Sequence, residues 1–384
     1  MSFGSVFARA CGIVVMTLSG GCEVVDSYFG GPAYPPEIEV LNAALSPDGT
    51  TVVAAFRFHG ESARLAVIPL DQAKADVAIL KTPEGFVWSE PVWSPDGQFI
   101  VAVGSCSRLH CTADATVKSI WRLRADGSEA TLISHAASAQ GNADVERQDP
   151  QFGADAAEIF WVEGAPLPPF DSPAEPEVPP FLTIAPIPPE PAPRRIVRWR
   201  DGKEDVIWPD EAHGIAFSDL NINASLAGED WFLVGKVHTG SRHPVVTDLD
   251  SGSRRFRSFL FRVSDGAVSL EQPFGVVDAF MRQDGNGFAY AAQFYGDDEL
   301  RQQIYLSSSG ETRLLLERSR GRIWDLTLSD DLEHVVFVSQ LYIHYPTFVW
   351  HYDVERDVLE RLPLPERLGA AMRQLVAQGA AEAS

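Results

Sequence analysis

The chain predicts an all-β fold: a six-bladed β-propeller with an N-terminal signal and tether and a short C-terminal helix. Three observations carry that reading. A segment made of an apolar residue, a tight turn and a β-branched or aromatic run recurs six times. A second hairpin follows each copy at the same phase. The period stays near 50 residues where insertions are few, which is the length of four short strands and their turns.

The repeats begin with LSPDGTTVVAAF (Leu45 to Phe56), which returns as WSPDGQFIVAVG (Trp93 to Gly104). Weaker copies start at Phe152, Leu226, Met281 and Leu328, with successive spacings of 48, 59, 74, 55 and 47 residues. Asp and Gly in the turn supply side-chain-to-backbone bonds and positive φ. The run that follows, TVVAAF or EIFWV, has strand composition. IWRLRADGSEATLI (Ile120 to Ile133) shows the second hairpin best, and RLAVIPLDQAKADVAIL, RIVRWRDGKEDVIW, FLFRVSDGAVSL, QIYLSSSGETRLLL and VWHYDVERDVLERL are its counterparts. A β-sandwich has no sixfold period with an Asp-Gly turn at constant phase. The propeller is therefore placed over residues 37–363, with EIEVL (Glu37 to Leu41) free to add an outer strand to the last blade. The Ala-rich tail, 364–384, is expected to form a short peripheral helix.

The W-S-P-D-G of Trp93 to Gly97, and Ser46 to Gly49 after Leu45, resemble the repeat of TolB-type propellers. The resemblance covers about residues 37–363; the other blades are degenerate. It implies the fold strongly and function weakly, because propellers host enzymes, binders and scaffolds. It also implies work in envelope complexes, through contacts with lipoproteins and membrane-anchored proteins. About 14 residues separate Cys22 from the first repeat, too few for the N-terminal α/β domain of TolB itself, so the chain is not expected to be a TolB orthologue.

The N-terminus reads as a signal peptide over 1–21 and a tether over 22–36. Arg9 precedes an apolar run from Ala10 to Leu18, too short to span a bilayer. Ser19, Gly20 and Gly21 then lead to Cys22, as in a bacterial lipobox, although Leu18 stands one residue too far upstream. Cys22 is thus the expected lipidation site, and ordinary cleavage nearby is the alternative. An exported protein meets an oxidising compartment, so Cys106 and Cys111 in SCSRLHC are expected to pair as a disulfide; His110 beside them does not complete a zinc set.

Asp and Glu outnumber Lys and Arg by 53 to 31, a net charge of −22. That field repels nucleic acid and anionic lipid, so membrane attachment is expected only through the lipid anchor. The expected partner is an envelope protein or small ligand, and the expected state a monomer.

Topology puts the Pro-Asp-Gly-type and Asp-Gly-type turns on one face. The opposite face takes the irregular connections, where His59, His238, His243, Tyr295, Tyr342 and His344 are the candidate binding residues. His238 and His243 are five apart, a spacing that suits a metal but reads more simply as solvated loop residues. The insertion 166–193 belongs to the same face. Twelve of its 28 residues are proline, so it cannot donate enough hydrogen bonds for a sheet and is expected to be extended. It reads either as a plain surface loop or as an arm that docks a partner.

One polar position recurs in every blade, three residues before the apolar residue that precedes each turn: Asn42, Glu90, Asp149, Asn223, Asp278 and Asp325. Reading this as the start of the innermost strand converges the six side chains on the mouth of the central channel. An oxygen-only ring suits a hard ion such as Ca²⁺, and no other cofactor is expected. The structural alternative is that these side chains cap nearby backbone N–H groups. Motifs for serine hydrolases, zincins, P-loops and dinucleotide sites do not occur. The expected function is therefore a non-enzymatic scaffold acting through the loop-rich face; a hydrolase or lyase working with channel carboxylates is the alternative.

Overall fold

The structure, a computed structural model, describes residues 37–71, 77–106, 118–134, 146–153, 155–164, 194–208, 219–221, 232–237, 257–262, 268–269, 275–281, 287–296, 299–308, 311–318, 322–340 and 347–382. The chain divides into two units, Met1–Pro36 and Glu37–Ser384. The expected signal, the tether and Cys22 lie outside the described residues.

The second unit holds six four-stranded antiparallel sheets, each in sequence order. They are β1 (Ile38–Leu45), β2 (Thr51–Phe58), β3 (Arg64–Pro69) and β4 (Ala78–Ile79); β5 (Phe86–Trp93), β6 (Phe99–Cys106), β7 (Lys118–Arg124) and β8 (Ala130–Leu132); β9 (Glu146–Phe152), β10 (Glu158–Gly164), β11 (Arg194–Arg200) and β12 (Lys203–Trp208). The others are β13 (Asp219–Asn221), β14 (Phe232–Val237), β15 (Arg257–Arg262) and β16 (Val268–Ser269); β17 (Gly275–Met281), β18 (Gly287–Gly296), β19 (Glu299–Ser308) and β20 (Glu311–Arg318); β21 (Arg322–Leu328), β22 (His334–Gln340), β23 (Phe348–Asp353) and β24 (Val358–Arg361). Among the described residues one helix, α1 (Leu364–Glu382), follows. This is an all-β, six-bladed propeller with a C-terminal helix.

The S-P-D-G turn has a local cause. In the first blade Asp48 Oδ1 accepts the Thr50 N–H at 3.1 Å and the Ser46 hydroxyl at 2.6 Å, while Ser46 Oγ accepts the Thr51 N–H at 3.0 Å. Ser94 and Asp96 repeat the pattern in the second blade, Ser329 and Asp331 in the sixth. Serine and aspartate thus satisfy the polar groups that a five-residue reversal would leave open.

The second strand of a blade is apolar on both sides because it is sandwiched between neighbours. Val52, Ala54 and Phe56 pack with Val336 and Val338 of the sixth blade, while Val53 and Ala55 pack with Trp88, Trp93 and Ile100 of the second. Val101 and Val103 continue the series to Ile159 and Trp161 of the third blade, and Val335 and Phe337 face Ala289 and Ala291 of the fifth.

Closure of the ring corrects two expectations. Glu37 to Leu41 does not add an outer strand to the last blade; Ile38–Leu45 is the innermost strand of the first, so the first and last blades share no strand. Bonds across the seam hold them instead. Leu45 N–H donates to Thr327 Oγ1 at 2.9 Å, Trp324 Nε1–H to the Leu41 carbonyl at 3.1 Å, and Asp330 N–H to the Pro47 carbonyl at 2.8 Å. Nor is α1 peripheral. Leu364, Leu368 and Met372, spaced to share one helix face, are buried with Ile38, Val40 and Phe58. Arg367 donates to the Pro69 carbonyl, and Arg373 pairs with Glu37. The helix clasps the seam in the place of an interlocked strand.

Candidate functional site

The recurring polar position lies at a β-bulge. The register of the innermost strand slips beside Asn42, Glu90, Asp149, Asp278 and Asp325 alike. Glu90, Asp149 and Asp325 take positive φ of 52°, 50° and 53°. A bulge at a left-handed residue re-aims its side chain out of the pleat, and short polar side chains bear that conformation best. Asn223 lies outside the described residues.

The bulges align these side chains for bonds between blades. Asn42 Oδ1 accepts the Glu90 N–H at 3.1 Å, and Glu90 Oε2 accepts the Asp149 N–H at 2.6 Å. Asp278 Oδ2 accepts the Leu326 N–H at 2.7 Å. Asp325 Oδ2 closes the circuit, accepting from Ala43 N–H at 3.2 Å and Asn42 Nδ2 at 3.0 Å. The side chains of Asn42, Glu90, Asp278 and Asp325 thus hold the main chain of the following blade, while Asp149 Oδ2 accepts from Gln148 Nε2 at 3.2 Å in its own strand. The position differs from the one expected. Asn42 is the fifth residue of an eight-residue β1 and stands three residues from its turn end, so the ring lies at mid-strand rather than at the strand start.

Glu90, Asp149, Asp278 and Asp325 line one cavity of roughly 140 Å³, together with Phe280, Trp324 and Thr327. Burial pushes the Asp325 carboxyl well above the usual carboxylate range, and the neighbouring Asp278 pushes it further. The bonds from Asn42 and Ala43 pull it back, and Glu90 adds a smaller upward push. Its four carboxyl groups are of the donor class that Ca²⁺ prefers, set among apolar neighbours such as Val92 and Phe280.

Of the loop-face candidates, His59 and the main chain of Tyr295 lie within the described residues. His59 follows β2 with φ of 48°, its ring 4.3 Å from that of Phe58. Tyr295 is not in a loop: it belongs to β18, opposite Leu300, in a hairpin that extends the blade. His238, His243, Tyr342, His344, Cys111 and the insertion 166–193 lie outside the described residues. Cys106 ends β6 and is buried.

Sequence reasoning missed three features. Trp324 is the only aromatic at the phase just before the ring residue, and that signal was readable. Arg147 and Glu163 form a fully buried pair at 3.3 Å in the third blade, with Trp161 Nε1–H donating to the same carboxylate. Glu360, His351 and His334 form a polar chain in the sixth blade. The last two depend on strand register and carry no local signal.

The sequence matches no protein-family profile and no curated protein. Among solved structures it is similar to an oligogalacturonate lyase from Vibrio parahaemolyticus, with a TM-score of 0.49 and 14% identity over 86% of this chain and 80% of that one. It is similar to the β-propeller domain of the Trilobed protease from Pyrococcus furiosus, with a TM-score of 0.48 and 12% identity over 84% and 97%. TolB from Acinetobacter baumannii gives a TM-score of 0.41 and 14% identity over 85% and 69%. These are likenesses of architecture alone, and they carry no inference about activity.

Proposed function

We propose that the protein is a non-enzymatic binding propeller of the bacterial cell envelope, tethered by a lipid on Cys22. It engages an envelope protein or a small ligand through its loop face and acidic channel, as a monomer, and does not bind nucleic acid. One observation supports this above the others: four ring side chains, three of them carboxylates, accept main-chain N–H groups of the next blade. A carboxyl that shuttles protons to substrate is poorly suited to anchoring backbone, since each protonation would loosen the anchor.

A second reading, a hydrolase or lyase, rests on the Asp325 carboxyl, raised beside Asp278 on an open cavity. A screen against lactones and glycosides separates the two. No turnover is expected; turnover that disappears in Asp149→Asn/Asp278→Asn overturns the binding reading. Mass spectrometry of the mature N-terminus, with diacylglycerol expected on Cys22, tests the anchor. Pull-down from envelope extract with and without residues 166–193 tests for a partner, and no capture in either case counts against one. Ca²⁺ in the channel would raise the melting temperature, an effect lost in Asp278→Ala.

A further inference from the structure

The turn opening β22 brings together three donors that the channel does not use. One carboxylate oxygen from Asp331, one from Glu333 and a ring nitrogen of His334 lie within 4.8 Å of one another. Both carboxylates are exposed and His334 is half-buried. Asp331 Oδ1 also serves the turn, accepting from the Glu333 N–H at 2.9 Å and from the Ser329 hydroxyl.

A polar chain stands behind His334. His334 Nδ1 stands 3.0 Å from His351 Nε2, and His351 Nδ1 stands 3.0 Å from Glu360 Oε1. A carboxylate accepts hydrogen bonds and donates none, so the proton between Glu360 and His351 belongs to His351 Nδ1. If His351 is neutral it presents a lone pair at Nε2, and the proton between the two rings then belongs to His334 Nδ1. The lone pair of His334 is thereby placed on Nε2. An imidazole whose inner N–H is held by a partner, here the His351 ring, and whose outer nitrogen is unprotonated is the form in which histidine binds metals.

We propose that Asp331, Glu333 and His334 form a divalent metal site suited to Zn²⁺, with His351 and Glu360 as its positioning residues. One imidazole and two carboxylates match zinc, whose ligands sit at about 2.0 to 2.2 Å, and the imidazole disfavours ions that take oxygen alone. Ligands on one such ion stand roughly 3.4 Å apart, so donors within 4.8 Å of one another have a short distance to close. Three protein donors leave a fourth position for water or an outside ligand. The site bears on the closing seam: Asp330 N–H donates to the Pro47 carbonyl, and a Cβ at Gly49 would come within 2.6 Å of His334 Cδ2. Zinc there ties the last blade's turn at the joint with the first.

The test is Zn²⁺ titration of the metal-stripped, full-length protein by calorimetry, with Co²⁺ absorption as a second readout of coordination. One equivalent is expected to bind saturably, with a rise in melting temperature that EDTA reverses. His334→Asn is expected to abolish that equivalent, and Glu333→Gln, at an exposed side chain that folding does not need, to weaken it at least tenfold. Glu360→Gln touches no ligand and is expected to weaken binding about tenfold, the low end for an outer-shell partner. No saturable binding, or unchanged affinity in Glu333→Gln and Glu360→Gln, overturns the proposal even if His334→Asn fails to fold.

Discussion

Replacing Asn42 by aspartate tests the channel circuit at its closing link. Asn42 bonds in two directions, donating from Nδ2 to Asp325 at 3.0 Å and accepting the Glu90 N–H at 3.1 Å. Asn42→Asp keeps the acceptor and sets a second carboxylate against Asp325. Two unit charges about 3.0 Å apart at an effective permittivity near 20 repel by about 5 kcal/mol, and the lost hydrogen bond to a charged group adds about 1.5–3 kcal/mol. Proton uptake by one carboxyl, and local relaxation, relieve part of this, so a loss of about 3–5 kcal/mol at pH 7.5 is the expected outcome. The sign with pH follows. Repulsion raises the folded-state pKa of the pair above the unfolded value, so the deficit is full above the raised pKa and shrinks as pH falls through it. Urea denaturation followed by tryptophan fluorescence, at pH 7.5 and pH 5, measures this. Asn42→Ala serves as the control, losing both bonds without adding charge; because the lost bond lowered the Asp325 pKa, its deficit also shrinks as pH falls, but by less than that of Asn42→Asp. An Asn42→Asp protein within about 1 kcal/mol of the parent at pH 7.5 would mean that Asp325 is solvated and the circuit is not a coupled one.

Three further outcomes follow from the same geometry. The Asp325 carboxyl is raised above its ordinary 3.8, so its contribution to stability is full below that value and is lost as pH rises through the folded pKa. Asp325→Asn keeps an oxygen for the Ala43 N–H, removes that fall, and is expected to narrow the stability difference between pH 5 and pH 7.5. Gly49→Ala is expected to cost at least about 1 kcal/mol more than Gly97→Ala. Both have positive φ, 70° and 66°, but only at Gly49 does a Cβ strike the last blade, while at Gly97 nothing lies within 4 Å. Equal losses would place the first turn away from the seam. Leu368→Ala empties a fully buried site in the clasp and is expected to cost about 2–5 kcal/mol by denaturation. Hydrogen exchange should then quicken first at Ala43 and Leu45, whose N–H groups bond across the seam.

What the sequence displays is whatever repeats. The Ser-Pro-Asp-Gly turn has its explanation within five residues, so its phase could be read without knowing what the blades touch. The polar position three residues ahead was visible for the same reason. Its depth was not, because the bulge that carries Asn42 or Asp325 is set by pairing against β2 or β22 and leaves no mark in composition. The apolar spacing of Leu364, Leu368 and Met372 announces a helix with one buried face and cannot say that Ile38 covers it. Tyr295 sits among Gly and Asp and reads as loop, yet ten residue pairs join β18 to β19 and carry the hairpin past it. The chain from Glu360 to His334 crosses three strands, so only their register brings it together.

The channel and the seam are not separate parts of this molecule. The bonds that Asp325 makes to Asn42 and Ala43 join the last blade to the first, and the same carboxylate lines the acidic cavity. A cationic group bound beside Asp325 and Asp278 lowers the repulsion between them and keeps Asp325 ionised, which strengthens its hold on Ala43 N–H. An anion there does the reverse. With no strand shared between first and last blades, those bonds, the Thr327 and Trp324 links and the α1 clasp carry closure together. Occupancy of the channel is thereby linked to the integrity of the ring, and the linkage is reciprocal: loosening the clasp must weaken a cationic ligand by the same factor by which that ligand tightens the clasp.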